Sequence, residues 1–168
     1  MSSRAVGRTL LFTILVPGSV TLLIPGLLLG RNAPRPAAWV NCVGMVPCVL
    51  GALTYLACAW WFATVGEGTP APIEPTKTLV VSGLYRFVRN PMYVGVEAVL
   101  LGEALLFGSA RLLVYATLVG VGFELFVRFY EEPALTRRFG ASYREYCRAV
   151  PRWIPRLSPW PRPRSGEG

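Results

Sequence analysis

Two stretches at the start of the chain carry almost nothing but apolar residues. Thr9 to Leu29 and Trp39 to Val65 contain no charged side chain, and each is long enough to cross the roughly 30 Å hydrocarbon layer as a helix. Pro17 and Pro25 interrupt the first, which a membrane helix tolerates where neighbours satisfy the freed carbonyls. Arg4 and Arg8 precede it, and the apolar run exceeds the h-region of a cleaved signal peptide, about 7–15 residues, so it reads as a first span. Trp39, Trp60 and Trp61 stand near the ends of the second run, at headgroup level, and Gly44, Cys48 and Gly51 along it allow close approach of another helix.

The pattern then breaks. Gly66 to Ser82 holds Pro70, Pro72 and Pro75, which favour an extended chain over a helix. Apolar spacing resumes from Pro91 to Ala110 and from Leu112 to Tyr130. The tight Gly108–Arg111 connection makes these two spans a helical hairpin. Beyond them, Pro133 to Phe139 reads as a short helix stopped by Gly140. Ser142-Tyr143-Arg144-Glu145 has the form of a capping box opening another helix to about Val150. The expectation is an all-α integral membrane protein of about four transmembrane helices, near 9–29, 39–65, 91–110 and 112–130. It forms one domain over 1–156, followed by a Pro/Arg-rich tail, 157–168, expected to be disordered.

Composition sharpens this reading. Of 168 residues, 53% are hydrophobic and only 15% charged, below the usual quarter for soluble domains. The net charge is +8, and more than half of the seventeen Lys and Arg residues follow Val127. With four spans, both termini and the Gly66–Asn90 loop share one side, leaving only Arg31, Arg35 and Arg111 on the other. The positive-inside rule makes that basic side cytoplasmic. A basic tail can also bind nucleic acid, but the membrane-like remainder argues against it.

The absence of His and Asp excludes Ser-His-Asp catalysis, His-ligated metal and a histidine base, and no metal site is expected. Cys42, Cys48, Cys58 and Cys147 form no C-x-x-C pair and read as free, structural residues. No internal repeat supports a transporter plan. Polar residues gather at one membrane face, where a channel would line a path across.

Chemistry-bearing residues cluster on the basic side. Glu124, Arg128, Glu131 and Glu132 follow the spacing i, i+4, i+7, i+8, one stripe on the last span. Tyr93 and Glu97 share a face of the preceding one. Ionisable groups at membrane depth normally face a bundle interior or a wet cavity.

The segments S-G-L-Y-R-F-V-R-N-P-M-Y-V-G and Y-E-E-P-A-L-T-R-R-F-G-A-S-Y-R-E-Y-C-R-A-V-P-R-W-I-P-R resemble the isoprenylcysteine carboxyl methyltransferases and the related phospholipid N-methyltransferases. The resemblance runs from about Gly66 to Arg156; the first two spans carry no signature. It implies a cytoplasmic-side pocket for S-adenosylmethionine, closed by the short C-terminal helices. It implies that Lys77, Thr78, Leu79 and Val80 contact this cofactor through an extended segment, that Tyr85 supplies an aromatic contact, and that Asn90, Pro91, Met92 and Tyr93 line the pocket. Glu131 would hold the cofactor with Glu132 as its paired acid, and Arg128 would orient the substrate. The family's usual histidine is Asn90 here, which hydrogen-bonds but does not titrate.

The activity so implied is methyl transfer to a carboxyl, thiol or amine on a lipophilic or lipid-modified substrate, within membrane lipid. Two other classes remain beside it: a non-enzymatic relative, favoured by Asn90, and a nicotinamide-dependent membrane reductase, for which no G-x-G-x-x-G is present.

Overall fold

The computed structural model describes residues 15–30, 38–64, 79 and 81–161. Lys77, Thr78 and Val80 lie outside the described residues. All regular structure within them is helical. Helix α1 is Leu15–Leu29, α2 is Ala38–Thr64, a short 3₁₀ turn is Gly83–Arg86, α3 is Pro91–Leu106, α4 is Ala110–Phe126, and α5 is Glu132–Ala149.

The prolines of α1 leave their mark as a wide turn. Residues Ser19–Leu23 are π-helical, with the Ile24 N–H reaching the Ser19 carbonyl, and Pro25 opens the α-helical turns that follow. Thr21 Oγ1 donates to the Pro17 carbonyl at 2.8 Å. Pro91, fully buried, fills the first turn of α3, where its missing N–H costs nothing.

The expected hairpin of α3 and α4 is present, and its turn has clear causes. Helix α3 ends at Leu106, four residues short of the expected Ala110, because Gly108 adopts φ +55°. Buried Ser109 then caps α4 by accepting from the Leu112 N–H at 3.4 Å. Helix α4 passes through a π-turn, Val127–Glu131, directly into α5. Gly140, at φ +54°, breaks α5 near its middle, so its second half turns back toward the molecule.

Two helical stretches are long and apolar enough to cross a membrane, Cys42–Trp61 and the Ala110–Ala149 run that is broken at Gly140. Their apolar windows are only 28% and 17% buried, whereas the core helix of a soluble protein would be mostly covered. The outward Leu50, Leu53, Leu113, Leu118 and Val121 form faces that suit lipid. The chain is a membrane protein. Helices α1 and α3, with 15 and 16 residues, are shorter.

Helices α2 and α3 meet backbone to backbone. A Cβ on Gly44 would lie 2.5 Å from the Leu106 nitrogen, one on Gly95 2.8 Å from the Gly51 oxygen, and one on Gly102 2.7 Å from the Cys48 nitrogen. The small residues read from the sequence therefore do permit close approach, and the partner is α3. Tyr55 and Ala59 of α2, Val96 and Leu100 of α3 and Ala116 of α4 form the membrane-level core. Tyr143, Tyr146 and Val150 form a second cluster, joined by Leu79, Val81 and Trp160. All four cysteines are free.

Candidate active site

The site lies where α4 leaves the bundle, covered by the segment after α5. The prolines of Pro151–Pro161 prevent a helix, and the chain instead runs back along residues 86–89. The Arg89 N–H donates to the Pro151 carbonyl at 2.9 Å, the Arg156 N–H to Phe87 at 2.9 Å and the Trp160 N–H to Arg86 at 2.9 Å. Arg86 Nε returns a bond to the Trp160 carbonyl at 2.7 Å. Residues 151–160 thus form a strap anchored as far as Trp160, four residues past the domain end expected at Arg156.

Charged residues lock the strap to α4 and α5. Arg152 Nε and Nη2 each lie 2.8 Å from a different oxygen of Glu132, a bidentate pair. Its Nη1 lies 2.8 Å from Glu124 Oε1, and Trp153 Nε1 donates to Glu124 Oε2 at 2.6 Å. Arg89 Nη1 is 2.8 Å from Glu132. Bonds from Glu132 and the neighbouring Glu124 charge hold the Arg152 guanidinium still more firmly in its protonated form. Arg152→Met removes this clamp. We expect a loss of about 2 kcal/mol, since the groups are partly exposed and one charged hydrogen-bond set is lost. Thermal unfolding, with proteolysis of the loosened strap, reads it.

Glu131 stands apart from this lock. Adjacent residues on a helix point about 100° apart, so Glu131 and Glu132 address different neighbours. Glu131 Oε2 accepts from the Tyr93 hydroxyl at 3.0 Å. Of the three acids along this exit turn, Glu124, Glu131 and Glu132, only Glu131 has no guanidinium partner among the described residues. Burial raises its carboxyl above the usual range and Glu132 adds to this, while the Tyr93 bond works the other way. Around the pair stand aromatic rings. Tyr93 is 4.7 Å from Phe123 and 6.4 Å from Trp153, ring centre to ring centre. Tyr85 is close enough to Glu131 and Tyr93 to feel both electrostatically, and burial keeps its phenol well above the usual tyrosine range. Tyr85 also lines a recess of about 380 Å³ with Cys58, Trp61, Gly83, Arg86 and Pro159. That volume lies within the range of small-ligand pockets.

Several residues singled out in the sequence therefore converge: Tyr85, Tyr93 and Glu131 on one side of the exit turn, Glu132 on the other. Leu79 packs in the Tyr143–Tyr146 cluster, and Met92 against the membrane-level core. Buried Asn90 donates from Nδ2 to the Arg152 carbonyl at 3.2 Å, so its amide ties down the strap. Arg128 is not brought in. Its side chain is 63% exposed, 3.9 Å from Glu124 and stacked beside Phe129, while Val127 takes the inward position at that level.

Sequence reasoning missed Arg152, Trp153 and Tyr146, whose hydroxyl donates to the Tyr85 carbonyl at 2.7 Å. Two acids eight apart on one helix face, Glu124 and Glu132, were the available signal that a cation had to come from elsewhere.

No curated protein sequence matches the chain significantly. In three dimensions it resembles a eukaryotic intramembrane Ras methyltransferase, isoprenylcysteine carboxyl methyltransferase. The TM-score is 0.57 at 19% identity, covering 96% of this chain and 56% of the other. The chain thus shares that fold while spanning little more than half of the larger protein. Residues 39–142, from α2 through the first half of α5, match the sequence model of the phospholipid methyltransferases. That match takes in α2, the α3–α4 hairpin and the Tyr93–Glu131 pair, and the chain belongs to the phospholipid methyltransferase family.

Proposed function

We propose that this protein is an S-adenosylmethionine-dependent methyltransferase acting on a lipophilic acceptor at the membrane boundary. The observation that carries the reading is the state of Glu131. It is a half-buried carboxylate at the mouth of the bundle, held by the Tyr93 hydroxyl, while its neighbours are neutralised by Arg152 and Arg89. Such a group fits a ligand that brings its own ammonium. The rings of Tyr93, Phe123 and Trp153 fit a flat or cationic moiety beside it.

In this reading Glu131 accepts from the amino group of the cofactor, and Tyr93 fixes the direction of the carboxylate. Tyr85 and the stretch that carries Lys77, Thr78, Leu79 and Val80 border the adenosine. Pro91 and Met92 back the wall at the start of α3. Glu132 contributes through the strap, which it anchors with Arg152. Asn90 serves the same end, so the family's histidine is replaced here by a group with a positioning task that needs no titration. When bound, the cofactor supplies a sulfonium-activated methyl group, suited to in-line displacement by an acceptor heteroatom. The residues' part is then orientation and exclusion of water, which a site without His or Asp can provide. In this reading the Arg128 guanidinium, exposed at the exit of α4 and outside the Tyr93–Glu131 site, meets an anionic or polar head group. The acceptor is a carboxyl, thiol or amine, and the site lies on the cytoplasmic side, where the basic residues gather.

Incubating the purified protein in nanodiscs with methyl-labelled S-adenosylmethionine and a membrane lipid extract tests this. Label should partition into the organic phase, and Glu131→Gln should lower its rate about tenfold or more at sub-saturating cofactor. Label confined to water at all cofactor concentrations would remove the methyltransferase reading.

A further inference from the structure

Glu97 is a further carboxyl beside the site, one that the Tyr93–Glu131 pair leaves unused. It follows Tyr93 by four residues on α3, so it lies on the same face one turn deeper, roughly 6 Å along the axis. On α4, Gly120 precedes Phe123 by three residues, and Phe123 is the ring that packs on Tyr93. A Cβ at Gly120 would lie 3.3 Å from the Glu97 Cδ and Oε1 and 3.4 Å from Oε2. The α3–α4 seam thus carries two layers. Tyr93 meets Phe123 in the first, and in the second a carboxyl is seated against a glycine that leaves room for it.

Among the described residues nothing answers this carboxyl. Glu97 Oε2 is buried without a hydrogen-bond partner there, whereas Glu124, Glu131 and Glu132 each have one. An acid at membrane depth with an unanswered oxygen is costly to keep, and such groups mark where a substrate, ion or proton is received. The position also has an approach. Leu101, four residues beyond Glu97 and so roughly 40° round the helix, is exposed, whereas Gly95 and Gly102 on the other side meet α2. Half-buried Glu97 therefore stands where the α3–α4 seam opens toward lipid. Glu103 also has an unanswered oxygen but a different place. It lies roughly 9 Å deeper and acts electrostatically on Cys48 of α2 and Tyr115 of α4.

We propose that Glu97 receives the methyl acceptor, and that the acceptor is a lipophilic amine or thiol with a hydrogen to give, not a carboxylate. This rests on the methyltransferase reading and narrows it. As the bond from acceptor nitrogen or sulfur to the methyl carbon forms, the bond from that carbon to the sulfonium breaks. Its electron pair stays on the sulfur, which becomes a thioether, and the acceptor's N–H or S–H proton passes to a Glu97 oxygen. A carboxylate acceptor has no proton to pass. Its charge would also face the Glu97 carboxylate at short range, where little water screens the repulsion.

The test compares wild type, Glu97→Gln and Glu103→Gln as full chains in phosphatidylcholine nanodiscs, with folding checked by circular dichroism. Each nanodisc carries one probe: phosphatidylethanolamine as the amine, hexadecanethiol as the thiol, or N-acetyl-S-farnesylcysteine as the carboxylate. Methyl-labelled S-adenosylmethionine is supplied at saturation, and S-adenosylhomocysteine binding is titrated in the same samples. Wild type should label the amine or the thiol and leave the carboxylate unlabelled. Glu97→Gln should lower that rate about a hundredfold or more while changing the S-adenosylhomocysteine Kd less than about twofold. Glu103→Gln should match wild type in both. A labelled carboxylate overturns the proposal, as does an undiminished rate in Glu97→Gln or an equal loss in Glu103→Gln. Loss of S-adenosylhomocysteine binding in folded Glu97→Gln also overturns it, by moving Glu97 into the cofactor site. Wild type that binds S-adenosylhomocysteine but labels neither amine nor thiol overturns the acceptor assignment alone. Absence of that binding in folded wild type removes the methyltransferase reading beneath it. If Glu97→Gln does not fold, the three-probe comparison in wild type still decides the acceptor class.

Discussion

Replacing Gly51 by leucine is expected to separate α2 from α3 and abolish the folded protein. A Cβ at this position would overlap the Gly95 carbonyl oxygen and sit 2.9 Å from the Val99 nitrogen and 3.0 Å from the Ala98 Cβ. These are mostly backbone atoms of a facing helix, so no rotamer change relieves the contact. Overpacking typically costs about 1–3 kcal/mol where side chains can move. A leucine against backbone should reach or exceed the top of that range, a large part of the roughly 5–15 kcal/mol that holds a domain together. Because α3 carries Tyr93, the site would be lost with the helix pair. Gly122→Ala is the control. Nothing lies within 4 Å of its would-be Cβ, and alanine favours a helix over glycine by about 0.5–1 kcal/mol, so this variant should be neutral or slightly stabilised. Thermal unfolding in detergent, followed by circular dichroism, distinguishes the two.

Glu131→Gln should weaken binding of S-adenosylhomocysteine by about 1–3 kcal/mol, the cost of a lost charged hydrogen bond, or roughly five- to 150-fold in Kd. The fold should survive, since amide and carboxyl are nearly the same size and Tyr93 keeps an oxygen to donate to. The pH dependence gives a second signature. Burial raises the Glu131 carboxyl, so near its shifted range the free protein carries it partly protonated. An ammonium ligand prefers the ionised form. Binding therefore releases a proton, and affinity should rise as pH rises through that range. Glutamine at 131 should flatten the profile there. An unchanged affinity in the glutamine protein would place the cofactor elsewhere.

The membrane character, the α3–α4 hairpin and the small-residue face of α2 are legible in the sequence because each depends on local composition. Uncharged runs, glycine spacing and the turn at Gly108 speak for themselves. The stop at Gly140 is equally plain, and the resemblance around Gly83–Tyr93 and Glu131 already pointed to the family. The strap was not legible. Its prolines and arginines read as a loose tail, and nothing local in P-R-W-I-P-R says that Arg152 will clamp acids from α4 and α5. That is a long-range pairing, visible only when the break at Gly140 has brought the chain back. The split between Glu131 and Glu132 was hidden for a related reason: neighbours in sequence look like one acidic motif until a helix points them at different partners.

The central claim is that this family member binds an S-adenosyl nucleoside at the Tyr93–Glu131 pair. Calorimetric titration of the purified, folded protein with S-adenosylhomocysteine, with NADPH as the control ligand, tests it most directly. The account predicts saturable micromolar binding of the first and none of the second. No heat from S-adenosylhomocysteine, in protein shown to be folded, would contradict it.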